Sequence, residues 1–345
     1  MKENLRFFAR FAYIVCLVAI LIGIANIKYV HGYYYTDVYG EVQRFNDVPY
    51  DITFANFGTS HGLAAFRYDE NDKSSYNFAL SGEDIYHDYM TLKQFSDHLS
   101  KGCIVTIPVS YFSFCLSTEE PSQKRYYTYL DKQYIRDFSY ETLINTKYVP
   151  VLRSIEFLFK DLIGDQDINS ENFMDDPEQA LINAKSIAAN VSGDIVAYAE
   201  DNELTAQEDA AKADQLRQHA ASRSESWRSG RMVVGKHYID ANTDLLIDMI
   251  NYCKDNGFKP VLITIPVYSA LTSEFSKEEL DFYYFSNINK VIKSTGILYI
   301  NYSDDARLVD NTAYYNNSDH MSEEGGKAFL KIYKNDLKAN GFEIN

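Results

Sequence analysis

Strand-like and helix-like segments alternate along most of this sequence, and the alternation limits the folds that the chain can adopt. Two runs, CIVTIPVSYF at 103–112 and KPVLITIPV at 259–267, are almost continuously β-prone, as is typical of strands buried on both faces. Segments with apolar residues at helical spacing lie between such runs. Strands that alternate with helices form a parallel sheet covered on both faces, so the sequence predicts a three-layer α/β/α domain.

The predicted elements can be placed on the chain. Strands are expected at residues 51–57, 74–80, 103–112, 259–267 and 296–303. Helices are expected at residues 83–102, 238–258, about 276–294 and 322–341. Gly102 and Gly257 are the residues at which the first two of these helices should close.

The alternation stops between about residues 115 and 235, which we interpret as a mainly helical insertion into the α/β domain. Within it, residues 161–210 carry 13 Asp and Glu against one Lys, in a chain whose net charge is −16. A helix is expected from about 177 to 228. The insertion could serve as a lid, as an arm that binds an acceptor, or as a surface for a partner. The negative charge argues against binding to nucleic acid.

The N-terminus carries a membrane signal. Lys2, Arg6 and Arg10 precede an apolar run at residues 11–27, which Asn26 alone interrupts. A run of 17 residues is short for a spanning helix and overlaps the length of a signal-peptide core, so a cleaved signal and a buried helix remain alternatives. We interpret residues 1–28 as an uncleaved single-pass anchor with a cytoplasmic N-terminus, because the basic residues precede the run. Residues 29–345 would then be extracytoplasmic.

The cysteines do not indicate a metal or redox site. The chain has four, and one of them, Cys16, lies in the apolar run. None of them has the spacing of metal ligands. The sequence therefore predicts neither a metal nor another cofactor.

Two short motifs suggest nucleophilic chemistry. In FANFGTSHG (54–62), Ser60 follows a predicted strand, and in NNSDHMSEEGG (316–326), His320 precedes the last predicted helix. Ligands of parallel α/β sheets bind beyond the carboxyl ends of the strands, so the two loops could meet there. A serine needs such a base, because its hydroxyl is a weak nucleophile. Taken singly, Ser60 could be a turn residue, and His320 could cap the helix or satisfy a core hydrogen bond.

These residues give the chain a family resemblance. The order and placement of the two motifs resemble the SGNH, or GDSL-type, hydrolase superfamily, in which the nucleophilic serine follows the first strand and an Asp-x-x-His motif precedes the final helix. The pieces NFGTSHG, YNFALSGEDIYHDY, IPVSYFSF, KPVLITIPV and SDHMSEEGGKAF carry the likeness, which covers the α/β core but not the insertion. Within the superfamily the chain is similar to the membrane-anchored cell-envelope branch. That branch contains the proteins of the DltD type, which D-alanylate teichoic acid, and the polysaccharide O-acetylation proteins.

The resemblance implies a fold and roles for residues. The fold would be SGNH-hydrolase-like, a flavodoxin-like arrangement. Ser60 would attack an acyl ester, and His320 would accept its proton and return it to the leaving alcohol. The oxyanion would be held by the backbone N–H groups of Ser60 and Gly82.

Two departures from the family pattern concern the groups around His320 and the oxyanion. The family's aspartate, three residues before the histidine, is Asn317 here, while Asp319 is adjacent to His320. The orienting group could be Asp319 with an unusual bend, Asn317 as a neutral acceptor, or a backbone carbonyl.

The family's third block, Gly-x-Asn-Asp, is replaced by PVSYF. Ser110 or Asn77 could supply the absent oxyanion donor, although each could also be structural. His61 could contact substrate or simply pack. His219 and His237 are weaker candidates that could reach over the cleft.

Together with the resemblance, which implies the substrate class, the sequence predicts a serine esterase or O-acyltransferase that acts on acyl esters of a cell-surface glycopolymer, either teichoic acid or a polysaccharide. The family implies a membrane-embedded partner that exports the acyl group. The alternatives are a non-catalytic relative that binds a polymer or an assembly partner, and an esterase directed at lipids. Only the predicted anchor supports the lipid-directed alternative.

Overall fold

The structure is a computed structural model that describes residues 2–31, 40–69, 71–117, 119–120, 122–153 and 206–344. The strands within these residues are β1 (Ile52–Asn56), β2 (Ser75–Asn77), β3 (Leu99–Val109), β4 (Lys259–Thr264), β5 (Leu298–Asn301), β6 (Tyr315–Asn317) and β7 (His320–Met321). The α-helices are α1 (Lys2–Val30), α2 (Ser60–Ala65), α3 (Ile85–Gln94), α4 (Tyr140–Leu143), α5 (Ala206–Trp227), α6 (Val233–Gly235), α7 (Ile239–Asp255), α8 (Ser269–Ser273), α9 (Lys277–Leu280), α10 (Ser286–Thr295) and α11 (Glu323–Ala339).

The chain divides into two compact units. The first unit comprises Met1–Asp47 and Pro121–Tyr198, and the second comprises Val48–Glu120 and Ala199–Asn345. The second unit contains every strand described here.

The first unit contains the apolar N-terminal helix. Residues Asn4–Val30 of α1 are long and apolar enough to cross a membrane, with a mean hydropathy of 2.5. Asn26, the polar residue of this run, donates its amide to the carbonyl of Tyr148 at 3.3 Å and accepts from the backbone N–H of Val151 at 3.2 Å. The Asn26 side chain therefore has hydrogen-bond partners within the first unit, although it lies on an apolar helix.

The second unit is built on a five-stranded sheet in the order β2-β1-β3-β4-β5. All its strand pairs are parallel, with Asn56 opposite Thr106, and Thr106 opposite Val261. This is the flavodoxin-like order, in which successive strands are added first on one side of β1 and then on the other, so the strand order switches between β1 and β3. The predicted α/β fold with a parallel sheet is confirmed. The crevice at the carboxyl ends of β1 and β3 is where such folds bind ligands.

Helices cover both faces of this sheet. In one layer α7 contacts both α3 and α10, and in the other α2 contacts α11. On the α11 side, Phe329 and Leu337 pack with Phe54 and Ile263 in one buried cluster. Burying each such side chain stabilises the fold by about 1.5–3 kcal/mol. The Tyr333 hydroxyl reaches the sheet and hydrogen-bonds to that of Thr106 at 2.8 Å, so α11 is fixed against the strand that ends at the site.

The predicted helix at 83–102 is wrong at its C-terminal end. α3 stops at Gln94, a 3-10 turn covers Ser96–His98, and β3 begins at Leu99. The spacing of apolar residues continues past Gln94, but Leu99 pairs with Ile52 in the sheet, and this tertiary pairing overrides the helical pattern. Gly102 therefore lies inside a strand, at a φ of 80°, and does not end a helix.

The helical character predicted for the insertion is confirmed over α5. Residues 122–153, in the first unit, form α4 and several short 3-10 and π turns. Most of the acidic run at 161–210, and the predicted helix between 177 and 205, lie outside the described residues.

Candidate active site

Ser60 is presented by a tight turn at the end of β1. Gly58 has a φ of 106°, a conformation that favours glycine, and an added Cβ there would lie 3.1 Å from the Pro108 carbonyl oxygen. The Gly58 N–H donates to a carboxylate oxygen of Asp88 at 2.8 Å, which fixes the turn. Thr59 then caps α2 by accepting the N–H of His61 at 3.3 Å. Ser60 is consequently the first residue of α2 and remains partly exposed.

His320 is presented by a hairpin between β6 and β7. Asn317 and His320 face each other across this antiparallel pair, and Ser318 and Asp319 form the turn. The Asn317 side-chain oxygen accepts the backbone N–H groups of Asp319 at 3.2 Å and of His320 at 2.8 Å. An Asn before a turn commonly closes it in this way. At Gly325, in the first turn of α11, an added Cβ would lie within 2.1 Å of the Tyr314 carbonyl oxygen, so only glycine lets the helix approach the hairpin this closely.

The two loops bring the candidate nucleophile and base into contact. Ser60 Oγ lies 2.8 Å from His320 Nε2, although the residues are 260 positions apart. On the other side of the ring, Nδ1 lies 3.1 Å from the side-chain oxygen of Asn317. This oxygen already accepts two backbone N–H groups, so it is an acceptor and Nδ1 must carry the proton. Nε2 is then free of a proton and can accept the one on Ser60.

Asp319 also reaches the His320 ring, because its place in the turn lets both side chains point to one side. Its Oδ1 lies 3.4 Å from His320 Nδ1, and its Oδ2 lies 3.1 Å from His61 Nε2 and 2.9 Å from Arg223 Nε. Burial alone would raise the pKa of Asp319, but His320, His61 and Arg223 outweigh it and hold that pKa well below the usual value of 3.8. The site therefore contains a buried carboxylate anion beside the candidate base. Both Asn317 and Asp319 are thus positioned to orient His320.

His61 forms a second hydrogen-bonded chain that ends on the same carboxylate. Its Nδ1 lies 2.6 Å from Ser110 Oγ, and its Nε2 faces Asp319. Burial lowers the pKa of His61 to about 4, against the hydrogen bond to Asp319, which raises it. The ring is therefore neutral at pH 7, donating from Nε2 to Asp319 and accepting at Nδ1 from Ser110. The Ser110 hydroxyl therefore donates to His61, and the backbone N–H of Ser110 donates to Ser113 Oγ at 2.9 Å.

The neutral state of His61 predicts a pH dependence of stability. Between pH 6.5 and 4 the unfolded chain binds a proton at His61 and the folded chain does not, so stability falls as the pH falls through this window. We expect a loss of up to about 3 kcal/mol, on the basis of about 1.4 kcal/mol per pH unit. The melting temperature of the full chain in detergent, measured from pH 7 to 4.5, should fall less steeply in His61→Gln. The exposed His237 gives a control, His237→Gln, and equal slopes in wild type and His61→Gln would contradict the assignment.

Of the other predicted oxyanion donors, the Asn77 side chain is engaged within the fold, whereas, among the described residues, the Ser60 backbone N–H is not. The side-chain amide of Asn77 donates to the carbonyls of Gly62, Leu63 and Phe66 at 3.4, 3.3 and 3.0 Å, so its N–H groups tie β2 to α2. The backbone N–H of Ser60 makes no hydrogen bond within the described residues and remains available to an oxyanion.

Gly82 has a φ of 63° and lies in a turn closed by the Glu83 N–H on the Leu80 carbonyl at 3.2 Å. The Leu80 N–H in turn donates to the Gly58 carbonyl at 3.0 Å. The loop after β2 therefore runs beside the turn that presents Ser60.

One face of α5 contacts the loop that carries the base. The contacting residues are spaced by three, seven and four positions along the helix: Asp209 contacts the Thr312 hydroxyl, Lys212 the Asn316 carbonyl at 3.2 Å, His219 Nδ1 the Ser318 Oγ at 2.8 Å, and Arg223 contacts Asp319. This spacing is that of neighbours on one helix face. The described end of the predicted insertion thus contributes directly to the site, and His219 joins it. His237, by contrast, is exposed, and its ring lies tilted against that of Tyr238.

Sequence reasoning missed the two residues of α5 that lie nearest His61 and Asp319. Arg223 pairs with Asp319, and the Trp227 ring lies 5.6 Å from that of His61. Trp227 also lines a small, mainly apolar pocket beside His61 and Ser110. The sequence places residues 209, 212, 219, 223 and 227 on one face of a helix, which could have pointed to a contact surface. Most of these side chains are polar, however, so no hydrophobic periodicity marks that face.

Three side chains of the site could in principle hold a metal ion. Ligand atoms of His61, Asp319 and His320 lie within 4.8 Å of one another. The same atoms, however, already contact Ser110, Arg223, Ser60 and Asn317, and the Arg223 guanidinium supplies a positive charge at Asp319. The donor set therefore fits a hydrogen-bonded network better than a dication.

Comparison with known proteins gives a distant structural likeness. No family model and no curated protein matches the chain. Among the solved structures that match is the crystal structure of a proposed acylhydrolase of Bacteroides fragilis, which is 9% identical. The match covers 86% of this chain and 94% of the other, with a TM-score of 0.37. A likeness at this level does not assign a function, which must be argued from the site.

Proposed function

We propose that the chain is a membrane-anchored serine esterase or O-acyltransferase that acts on acyl esters of a cell-surface glycopolymer through an acyl-serine at Ser60. The observation that carries the proposal is the 2.8 Å contact between Ser60 Oγ and His320 Nε2, with Nδ1 of the same ring held by Asn317. A base held in one tautomer against a serine hydroxyl is the arrangement that activates this nucleophile.

In the acylation step, Ser60 Oγ attacks the ester carbonyl carbon and its proton passes to His320 Nε2. The Ser60 N–H, and as a second donor the Gly82 N–H, would stabilise the oxyanion. When the tetrahedral intermediate collapses, the bond to the alcohol oxygen breaks and His320 protonates the leaving alcohol. The Asp319 carboxylate, 3.4 Å from Nδ1, stabilises the imidazolium present between these two proton transfers.

In the second step, water or a polymer hydroxyl gives its proton to His320 and attacks the acyl-serine. The acyl–Ser60 bond breaks and the serine recovers its proton. Water as the acceptor gives hydrolysis, and a polymer hydroxyl gives transfer. The same side chains would serve hydrolysis and transfer, so the acceptor alone distinguishes the two reactions.

The proposed location and partner rest on different support. The apolar helix α1 supports a single membrane crossing with the second unit on the cell surface. A membrane-embedded partner that exports the acyl group is part of the proposal only through the family resemblance.

A fluorophosphonate probe tests the proposal, because it phosphonylates activated serines. We expect the full-length protein in detergent to be labelled, and mass spectrometry to locate the label on Ser60. Labelling should be lost in Ser60→Ala and strongly reduced in His320→Ala. Ser273→Ala, which changes an exposed serine on α8, should be labelled like wild type.

Two results would count against the proposal. A folded protein that takes no label would favour the non-catalytic alternative. A label on Ser110 would move the nucleophile to the second hydrogen-bonded serine.

A further inference from the structure

Arg231 differs from the other described arginines of the second unit in having neither an acceptor nor an ion-pair partner. Each of the other five has one or both within the described residues: Arg67 with the Ala64 carbonyl, Arg217 with Asp214, Arg223 with Asp319, Arg228 with Glu225 and Glu279, and Arg307 with Asp305 and Asp336. Arg231 is half-buried, and it makes neither a hydrogen bond nor an ion pair with any residue that the structure describes. A partly desolvated cation without a counter-charge is unfavourable.

The position of Arg231 connects it to the candidate active site. Its guanidinium carbon lies 4.4 Å from the centre of the Phe112 ring. The Phe112 ring packs edge-on against His61, with centroids 5.7 Å apart, and the His61 ring lies 4.8 Å from that of His320. Arg231 thus lies two aromatic side chains from the candidate base.

The local charge balance favours an anion at this place. Arg223 and Arg231 supply two positive charges, whereas the carboxylate among these contacts is Asp319, which is already paired with Arg223. Burial lowers the pKa of Arg231 to about 10; repulsion from Arg223 acts in the same direction and the weaker attraction of Asp319 opposes it, so the guanidinium stays charged at pH 7. The excess positive charge contrasts with the net charge of −16 of the whole chain.

We propose that Arg231 binds an oxyanion, either a phosphate or a carboxylate, carried by the ester substrate or by the acceptor of the acyl group at Ser60. A guanidinium is suited to this because its planar donors bind both groups in a bidentate manner. The substrate class depends on the proposed function, whereas the binding of the anion does not.

The test measures anion binding without catalysis. Full-length Ser60→Ala protein in detergent is titrated with inorganic phosphate, glycerol 3-phosphate and glucuronate, at an ionic strength held constant with chloride, and the melting temperature is recorded. We expect a saturable increase with at least one anion. The comparison of the phosphates with glucuronate distinguishes the two anion types.

Adding Arg231→Gln to Ser60→Ala should weaken the binding by about tenfold or more, as for the loss of a hydrogen bond to a charged group. Arg228→Gln is the matched control, since Arg228 already pairs with Glu225 and Glu279, and it should bind as tightly as Ser60→Ala alone. The proposal is overturned if no anion gives a saturable increase, if Arg231→Gln binds normally, or if Arg228→Gln loses binding equally.

A chemical measurement replaces the variant if Arg231→Gln does not fold. Phenylglyoxal modifies arginines, and the binding anion should protect Arg231 in folded Ser60→Ala protein, as read by peptide mass spectrometry. Unchanged modification of Arg231 with and without the anion would refute the proposal. Because Ser60 is absent from all these samples, a failed labelling experiment and a failed anion titration remain separate results.

Discussion

His320→Ala should lower kcat/KM for hydrolysis of a small reporter ester such as 4-nitrophenyl acetate by at least about 10⁴-fold. The Ser60 hydroxyl would lose the base that lies 2.8 Å away, and no other described side chain hydrogen-bonds to Ser60 Oγ. Activity that remains would come from the oxyanion donors and from substrate binding. The measurement is steady-state hydrolysis by full-length protein in detergent, with the melting temperature recorded for each variant.

The exposed histidine at position 237 provides the control for this experiment. His237→Ala should retain wild-type activity, because that ring is exposed and contacts Tyr238, and no hydrogen bond or ion pair among the described residues joins it to the network around Asp319. If His320→Ala keeps a tenth or more of the wild-type activity while folded, the acyl chemistry proposed here does not pass through His320.

The pairing of Ser60 with His320 could be predicted from the sequence because it depends on the order of the elements. A serine after the first strand and a histidine before the last helix both fall at the carboxyl ends of parallel strands, where the loops converge. The buried strands were equally clear, since runs such as KPVLITIPV have no other stable environment. These are properties of local pattern and of α/β topology.

The surroundings of His320 were less predictable, because they depend on one turn. In an extended segment Asp319 and His320 would point apart, and the sequence left both Asn317 and Asp319 as candidates. The turn at 318–319, closed by the Asn317 side chain, brings both within 3.4 Å of the same ring nitrogen. Side-chain turns of this kind follow from exact backbone geometry, which the residue order alone does not specify.

The part played by α5 could not be inferred, because it is a tertiary contact made by polar residues. Arg223 and His219 would look like solvent-facing groups on an acidic, alanine-rich helix. Their partners, Asp319 and Ser318, lie about 100 residues away in the sequence. The same difficulty explains the error at Gly102, where pairing between β3 and β1 prevailed over the helical spacing.

Asp319 and Asn317 make different contributions to His320, and their variants should separate the two. Asn317 fixes the tautomer through a neutral hydrogen bond of 3.1 Å, the loss of which costs about 1 kcal/mol, or less than tenfold in rate. Asp319 contributes through its negative charge, which stabilises the protonated ring of His320. At 3.4 Å and an effective dielectric constant of 20, its attraction for an imidazolium is about 5 kcal/mol, which is equivalent to about 10³-fold in rate.

We therefore expect Asp319→Asn to lower kcat/KM by about 10³-fold and Asn317→Ala by about fivefold. Asp305→Asn is a matched control, since Asp305 pairs with an arginine outside the site, Arg307, and its activity should be unchanged. A larger loss in Asn317→Ala than in folded Asp319→Asn would assign the support of His320 to Asn317 and leave Asp319 a structural anion for Arg223 and His61.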